Sequence, residues 1–241
     1  MRENETECLN KIIDSYFHNI GIINEFDNSN PLIISKIFKT FIRNNDSSIF
    51  PDFFFDGGII EHFEVTSSVE GRKGSAFRMA EATDQKENDK FFEQLDSEFR
   101  NSEYRPGTYH IETRENIYEC FSYESFVESF KKNTLKHIDS LNKSPYTNGT
   151  VVFLIEQRSG RLGIYENGIF NRFYRVYEDK NILLFIKEYL ANVNYIFFTA
   201  IGYYEILDLS KIDNLILKAK ANLDIRGARH INLIPKVYLD L

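Results

Sequence analysis

Two short apolar runs, IFPDFFF at 49–55 and IIEHFEVTS at 59–67, flank Asp56-Gly57-Gly58. Paired runs of aromatic and β-branched residues around a glycine-rich turn read as a β-hairpin, which ties the rest of the chain to a sheet. The hairpin also carries Asp52, Glu61 and Glu64. Strands are depleted in acidic residues, and a carboxylate buried in one needs a partner, a proton or a metal ion. The same stretch therefore fixes a piece of the fold and raises the question of a site.

Around the hairpin, helical and strand patterns alternate. Cys8, Leu9, Ile12, Ile13, Tyr16 and Phe17 recur at helical spacing over 3–19, and NPLIISKIFKTFIRNN predicts a second helix with Asn30 as cap and Pro31 in its first turn. A long polar helix is expected over 76–101. GTYHIET follows as a short strand and SYESFVESFKKNTLKHIDSL as an amphipathic helix. TVVFLIEQ reads as a buried strand with RLGIYENG as its hairpin partner, 180–191 as a helix, and VNYIFFTA and YYEILDL as two more strands. In the last stretch, RGARHINLIPKVYLDL, Pro235 argues against a central strand. This order predicts an α/β fold with a mixed central sheet flanked by helices. No repeat or linker divides the sequence, so one domain over 1–241 is expected.

Composition narrows the function classes. The 22 Phe and 14 Tyr support a folded globular chain, and two cysteines, Cys8 and Cys120, set no disulfide framework. No apolar run is long enough to span a bilayer, and the N-terminus lacks a signal core, so a cytoplasmic protein with no membrane partner is expected. A net charge of −7 argues against indiscriminate attraction to phosphate backbones, although a bound cation reverses the field locally. Gly-x-Ser-x-Gly, Gly-x-Gly-x-x-Gly, His-Glu-x-x-His and Walker patterns are all absent, which leaves serine hydrolase, dinucleotide oxidoreductase and zincin readings without support.

Whether Asp52 and Glu64 converge depends on the parity of the turn. A two-residue loop sends them to opposite faces; a three-residue loop sets Asp52 opposite His62 and diagonal to Glu64, at roughly 7–8 Å between backbones. The three-residue loop is the expectation, with Gly58 in the left-handed region at its end.

Pro51-Asp52, followed after a tight turn by Glu64-Val65-Thr66, resembles the PD-(D/E)xK superfamily of restriction-endonuclease-like nucleases. The likeness covers about 1–155 in predicted topology and the hairpin alone in residue detail. It implies a restriction-endonuclease-like core, Asp52 and Glu64 as ligands of Mg²⁺ (or Mn²⁺) with the carbonyl of Val65, and hydrolysis of phosphodiesters in nucleic acid. Double-stranded DNA is the expected partner, in restriction or defence, with a homodimer where both strands are cut. A held hard cation suits that chemistry, because it lowers the pKa of water and offsets charge growing on the phosphate. Thr66 stands where the family carries lysine. Lys73 is the expected substitute, with Lys86 as a second, and Gln85 could also face the site. Upstream acids Glu5, Glu7 and Glu25 are further candidates.

EGRKGSAFR offers Arg72, Lys73 and Arg78 as phosphate contacts beside a helix start, although a mobile basic loop accounts for it equally well. Asp56 is expected to serve the turn, Glu61 to be solvated or salt-bridged, and the five histidines to form no cluster. The expected activity is a Mg²⁺-dependent nuclease. The rival is a nuclease-like domain whose site has lapsed and which acts as a non-enzymatic binding or immunity-type protein.

Overall fold

The computed structural model describes residues 3–46, 50–68, 86, 89–90, 93, 108–119, 121–146, 148–159, 162–227 and 229–240, with 108–119, 158–159 and 229–240 as backbone only. Seven strands form the central sheet: β1 (Ile23–Asp27), β2 (Ile42–Arg43), β3 (Phe53–Phe55), β4 (Gly58–Thr66), β6 (Thr150–Ser159), β9 (Tyr195–Ala200) and β10 (Tyr203–Asp208), in the order β1-β10-β9-β6-β4-β3-β2. β4, β6 and β9 run parallel, the β2-β3-β4 meander and β9-β10 are antiparallel, and β1 is parallel to β10. The expected α/β architecture, a mixed sheet flanked by helices, is what the chain adopts.

Helices cover both faces, so the central strands are apolar on both sides. Val152 and Leu154 of β6 pack with Ile60, Phe197 and Phe53 beneath α1 (Glu3–His18) and α2 (Pro31–Thr40), through Leu9, Ile12, Ile34 and Ile37. Val151, Phe153 and Ile155 point the other way. They join Ile59, Phe63 and Val65 under α3 (Tyr123–Lys143) and α4 (Lys180–Tyr189), through Phe126, Phe130, Ile182 and Ile186. Local chemistry sets the helix starts: Asn30, Ser122 and Asp179 each accept a hydrogen bond from a backbone N–H of the first turn.

Two smaller sheets stand apart from this one. β7 (Leu162–Glu166) pairs with β8 (Ile169–Phe173) and β11 (Asp224–Gly227), not with β6 as the sequence had suggested. The reason is the Asn167-Gly168 turn, in which both residues take positive φ (53° and 80°), the backbone of a tight two-residue hairpin. β5 (Thr108–Glu119) pairs with β12 (Arg229–Asp240) along its whole length, Pro235 opposite Thr113. In a two-stranded sheet each strand keeps an open edge, which accommodates proline. The short helix α5 (Ile212–Lys218) precedes β11. Of the helix expected over 76–101, only Lys86, Asp89, Lys90 and Glu93 are described, as helical and exposed.

Candidate active site

The hairpin turn sets the geometry. Phe55 pairs with Gly58, Phe54 with Ile59 and Phe53 with Ile60, so the loop holds two residues, Asp56 and Gly57. Gly57 takes the left-handed conformation, at φ 95°. Gly58 is needed for a different reason: a Cβ there would lie 2.0 Å from the carbonyl oxygen of Thr150 on β6. Asp56, as expected, stays at the turn, paired with Lys36 at 2.8 Å.

Continued by one residue, this register sets Asp52 opposite Glu61. Glu61 shares the α3 face of β4 with Ile59, Phe63 and Val65, whereas Glu64 falls on the other face with Ile60 and is exposed. The expected Asp52–Glu64 pair is thereby corrected to Asp52–Glu61. Glu61 is not solvated but 6% exposed.

β3 stops after three residues while β4 runs on, which leaves the backbone groups of His62, Glu64 and Thr66 without a neighbouring strand. Side chains take the missing strand's place. Asp52 Oδ2 accepts from the His62 N–H at 2.7 Å, Asn133 Nδ2 donates to the Glu64 carbonyl at 2.8 Å, and the Thr66 N–H donates to Ser129 Oγ at 3.0 Å. Ser129, Asn133 and His137 recur every fourth residue along α3, and His137 Nδ1 meets Glu61 Oε1 at 2.6 Å. The match is metrical: four helical residues advance about 6 Å and two strand residues about 6.6 Å, so one polar helix stripe can follow one strand edge.

Burial dominates the electrostatics. It pushes Asp52 up to about 7, with the neighbouring Glu61 and Glu5 charges adding and the His62 N–H opposing. Burial likewise pushes Glu61 up to about 7 against its hydrogen bonds with Asp52. His137, stacked on Phe63 at 4.5 Å between ring centroids, is lowered to about 4 by burial and by Lys136. It is uncharged at neutral pH, so its contact with Glu61 is a hydrogen bond and not an ion pair. Among the described residues, Glu61 Oε2 is buried without a partner at hydrogen-bond geometry. Two facing carboxyls with an orphaned oxygen suit a divalent cation, and an all-oxygen donor pair suits a hard one.

Among the other residues singled out in the sequence, Thr66 is tied to Ser129 and, through Oγ1, accepts from the Ser68 N–H at 3.0 Å. Glu5 lies near Arg43 (3.4 Å), Glu7 pairs with Lys11 (2.7 Å) and Glu25 with Arg175 (2.7 Å). Of these three acids, Glu5 is the one whose charge bears on both Asp52 and Glu61. Lys73, Arg72, Arg78 and Gln85 lie outside the described residues, and Lys86 is exposed. Among the described residues, neither Asp52 nor Glu61 forms an ion pair with a lysine or arginine. Sequence reading missed Glu61 and His137; the four-residue spacing of Ser129, Asn133 and His137 was the available signal. No helix among the described residues is long and apolar enough to cross a membrane.

No protein-family model, no curated protein and no solved structure matches the chain.

Proposed function

We propose that this chain is a metal-dependent phosphodiesterase acting on nucleic acid, a Mg²⁺-dependent (or Mn²⁺-dependent) DNA endonuclease of the restriction or defence kind, working in the cytoplasm. The observation that carries the reading is the Asp52–Glu61 pair just before β3 begins, Asp52 half-buried and Glu61 buried with its Oε2 unpartnered among the described residues. A hard divalent cation bound there supplies charge neutralisation and a more acidic water. The chain's own groups hold the pair in place. The His62 N–H fixes Asp52, and the neutral His137 imidazole fixes Glu61 Oε1 while Phe63 holds the ring flat. Lys73 remains the proposed lysine substitute, with Arg72 and Arg78 as proposed phosphate contacts.

The test is cleavage of plasmid and oligonucleotide DNA with Mg²⁺ or Mn²⁺ by the wild type and by Asp52→Asn, Glu61→Gln and Glu64→Gln. The first two are expected to lose at least about a hundredfold in rate and Glu64→Gln far less. Loss in Glu64→Gln with retention in Glu61→Gln would overturn the pairing. Metal binding without cleavage of DNA or RNA would favour a non-enzymatic binding protein.

A further inference from the structure

We infer that Cys8, His62 and Glu156 form a second metal site, on the α1 face of β4, that takes a borderline transition ion of the Zn²⁺ type. The three residues come from α1, β4 and β6, and their donor atoms lie within 4.8 Å of one another. His62 Nε2 and Glu156 Oε2 are already 3.2 Å apart. Tetrahedral coordination with metal–sulfur near 2.3 Å and metal–nitrogen near 2.0 Å asks for donor separations of roughly 3.3–3.6 Å. The widest pair needs to close by at most about 1.5 Å, within reach of side-chain rotation.

Placement selects the kind of ion. Cys8 is 4% exposed and His62 7%, on a face otherwise filled by Leu9, Ile12, Ile60 and Leu154. Burying net charge there is costly. A divalent ion with one thiolate, one carboxylate and one neutral imidazole sums to zero, which makes this donor set a low-cost one for an apolar site. Sulfur and imidazole favour Zn²⁺, Co²⁺ or Fe²⁺ over Mg²⁺, which keeps this site distinct from the oxygen-only pair on the opposite face. Three protein ligands leave a fourth position for water or an anion, and the Glu156 side chain, at 21% exposure, is the one open to solvent.

The experiment is Co²⁺ titration of the metal-stripped full chain, followed by absorbance, with Zn²⁺-dependent thermal stability as a second readout. The wild type is expected to develop a thiolate-to-cobalt charge-transfer band in the near ultraviolet. Zn²⁺ should bleach it and excess Mg²⁺ should not. Cys8→Ser should lose the band and bind at least about tenfold more weakly, whereas Cys120→Ser and Glu61→Gln should keep it. Zn²⁺ should raise the melting temperature of the wild type and not of Cys8→Ser. Should Cys8→Ser fail to fold by circular dichroism, Glu156→Gln, which keeps the thiolate, should bind Co²⁺ at least about tenfold more weakly than the wild type. Absence of the band in the wild type, its survival in a folded Cys8→Ser protein, or wild-type Co²⁺ affinity in Glu156→Gln would overturn the site and reduce it to a histidine–carboxylate pair beside a packed thiol.

Discussion

Glu61 serves two opposed demands. Its carboxyl lies buried against that of Asp52, where like charges raise the free energy of the folded chain, yet among the described residues Oε2 has no partner at hydrogen-bond geometry. Sites arranged this way trade stability for binding. Glu61→Gln retains the shape and a polar contact to His137 while removing the like charge, so it is expected to stabilise the metal-free protein by about 0.5–2 kcal/mol in urea denaturation. A destabilised variant would show that the carboxylate is structurally satisfied. His137→Ala should act in the opposite sense. It strips Glu61 Oε1 of its 2.6 Å partner and Phe63 of its stacked ring, at a cost of about 1–3 kcal/mol.

At the scale of elements, the hairpin turn decides which carboxylates meet. Gly57 and Gly58 do different work, so the same substitution should separate them. Gly58→Ala drives a methyl into the Thr150 carbonyl, and because that carbonyl is backbone of the paired strand, it cannot rotate out of the way. A loss above about 3 kcal/mol, or failure to fold, is expected. Gly57→Ala meets only Lys36 Nζ at 4.0 Å and carries a left-handed φ, for a loss of about 1–2 kcal/mol. Equal losses measured by thermal melting would contradict this division. The hairpin itself was legible in the sequence, because apolar runs and glycines mark it. Its parity was not: Asp56-Gly57-Gly58 satisfies a two- or a three-residue loop, and the choice falls to the close approach of β6, some ninety residues away. The Glu61–His137 contact was hidden for the same reason, since it depends on which strand α3 lies along.

Across the whole molecule, the alternation of helix and strand patterns led to the right architecture because the apolar runs of β6 and β9 can only be buried on both faces. It did not tell main-sheet strands from satellite ones; RLGIYENG looks like a partner for its sequence neighbour, yet pairs with β8 and β11. The seam between the main sheet and the three-stranded sheet carries a titrating group of its own. Glu205 of β10 is fully buried and accepts from the N–H groups of Val176 (3.0 Å) and Tyr177 (2.9 Å), which follow directly on β8. Arg175, stacked over Tyr203 at 3.9 Å and paired with Glu25, faces it, as does Glu178. Burial outweighs the N–H donors and Arg175 and pushes Glu205 up to about 8. The unfolded chain therefore releases this proton near the ordinary glutamate value, around 4.5, while the folded chain keeps it until about 8. The contribution to stability is full below 4.5 and is lost as pH rises through 8, at a slope of at most about 1.4 kcal/mol per pH unit. Denaturation at pH 5, 6.5 and 8 should show the wild type losing stability relative to Glu205→Gln as pH rises. Parallel curves would mean that Arg175 and the two backbone donors hold Glu205 ionised throughout.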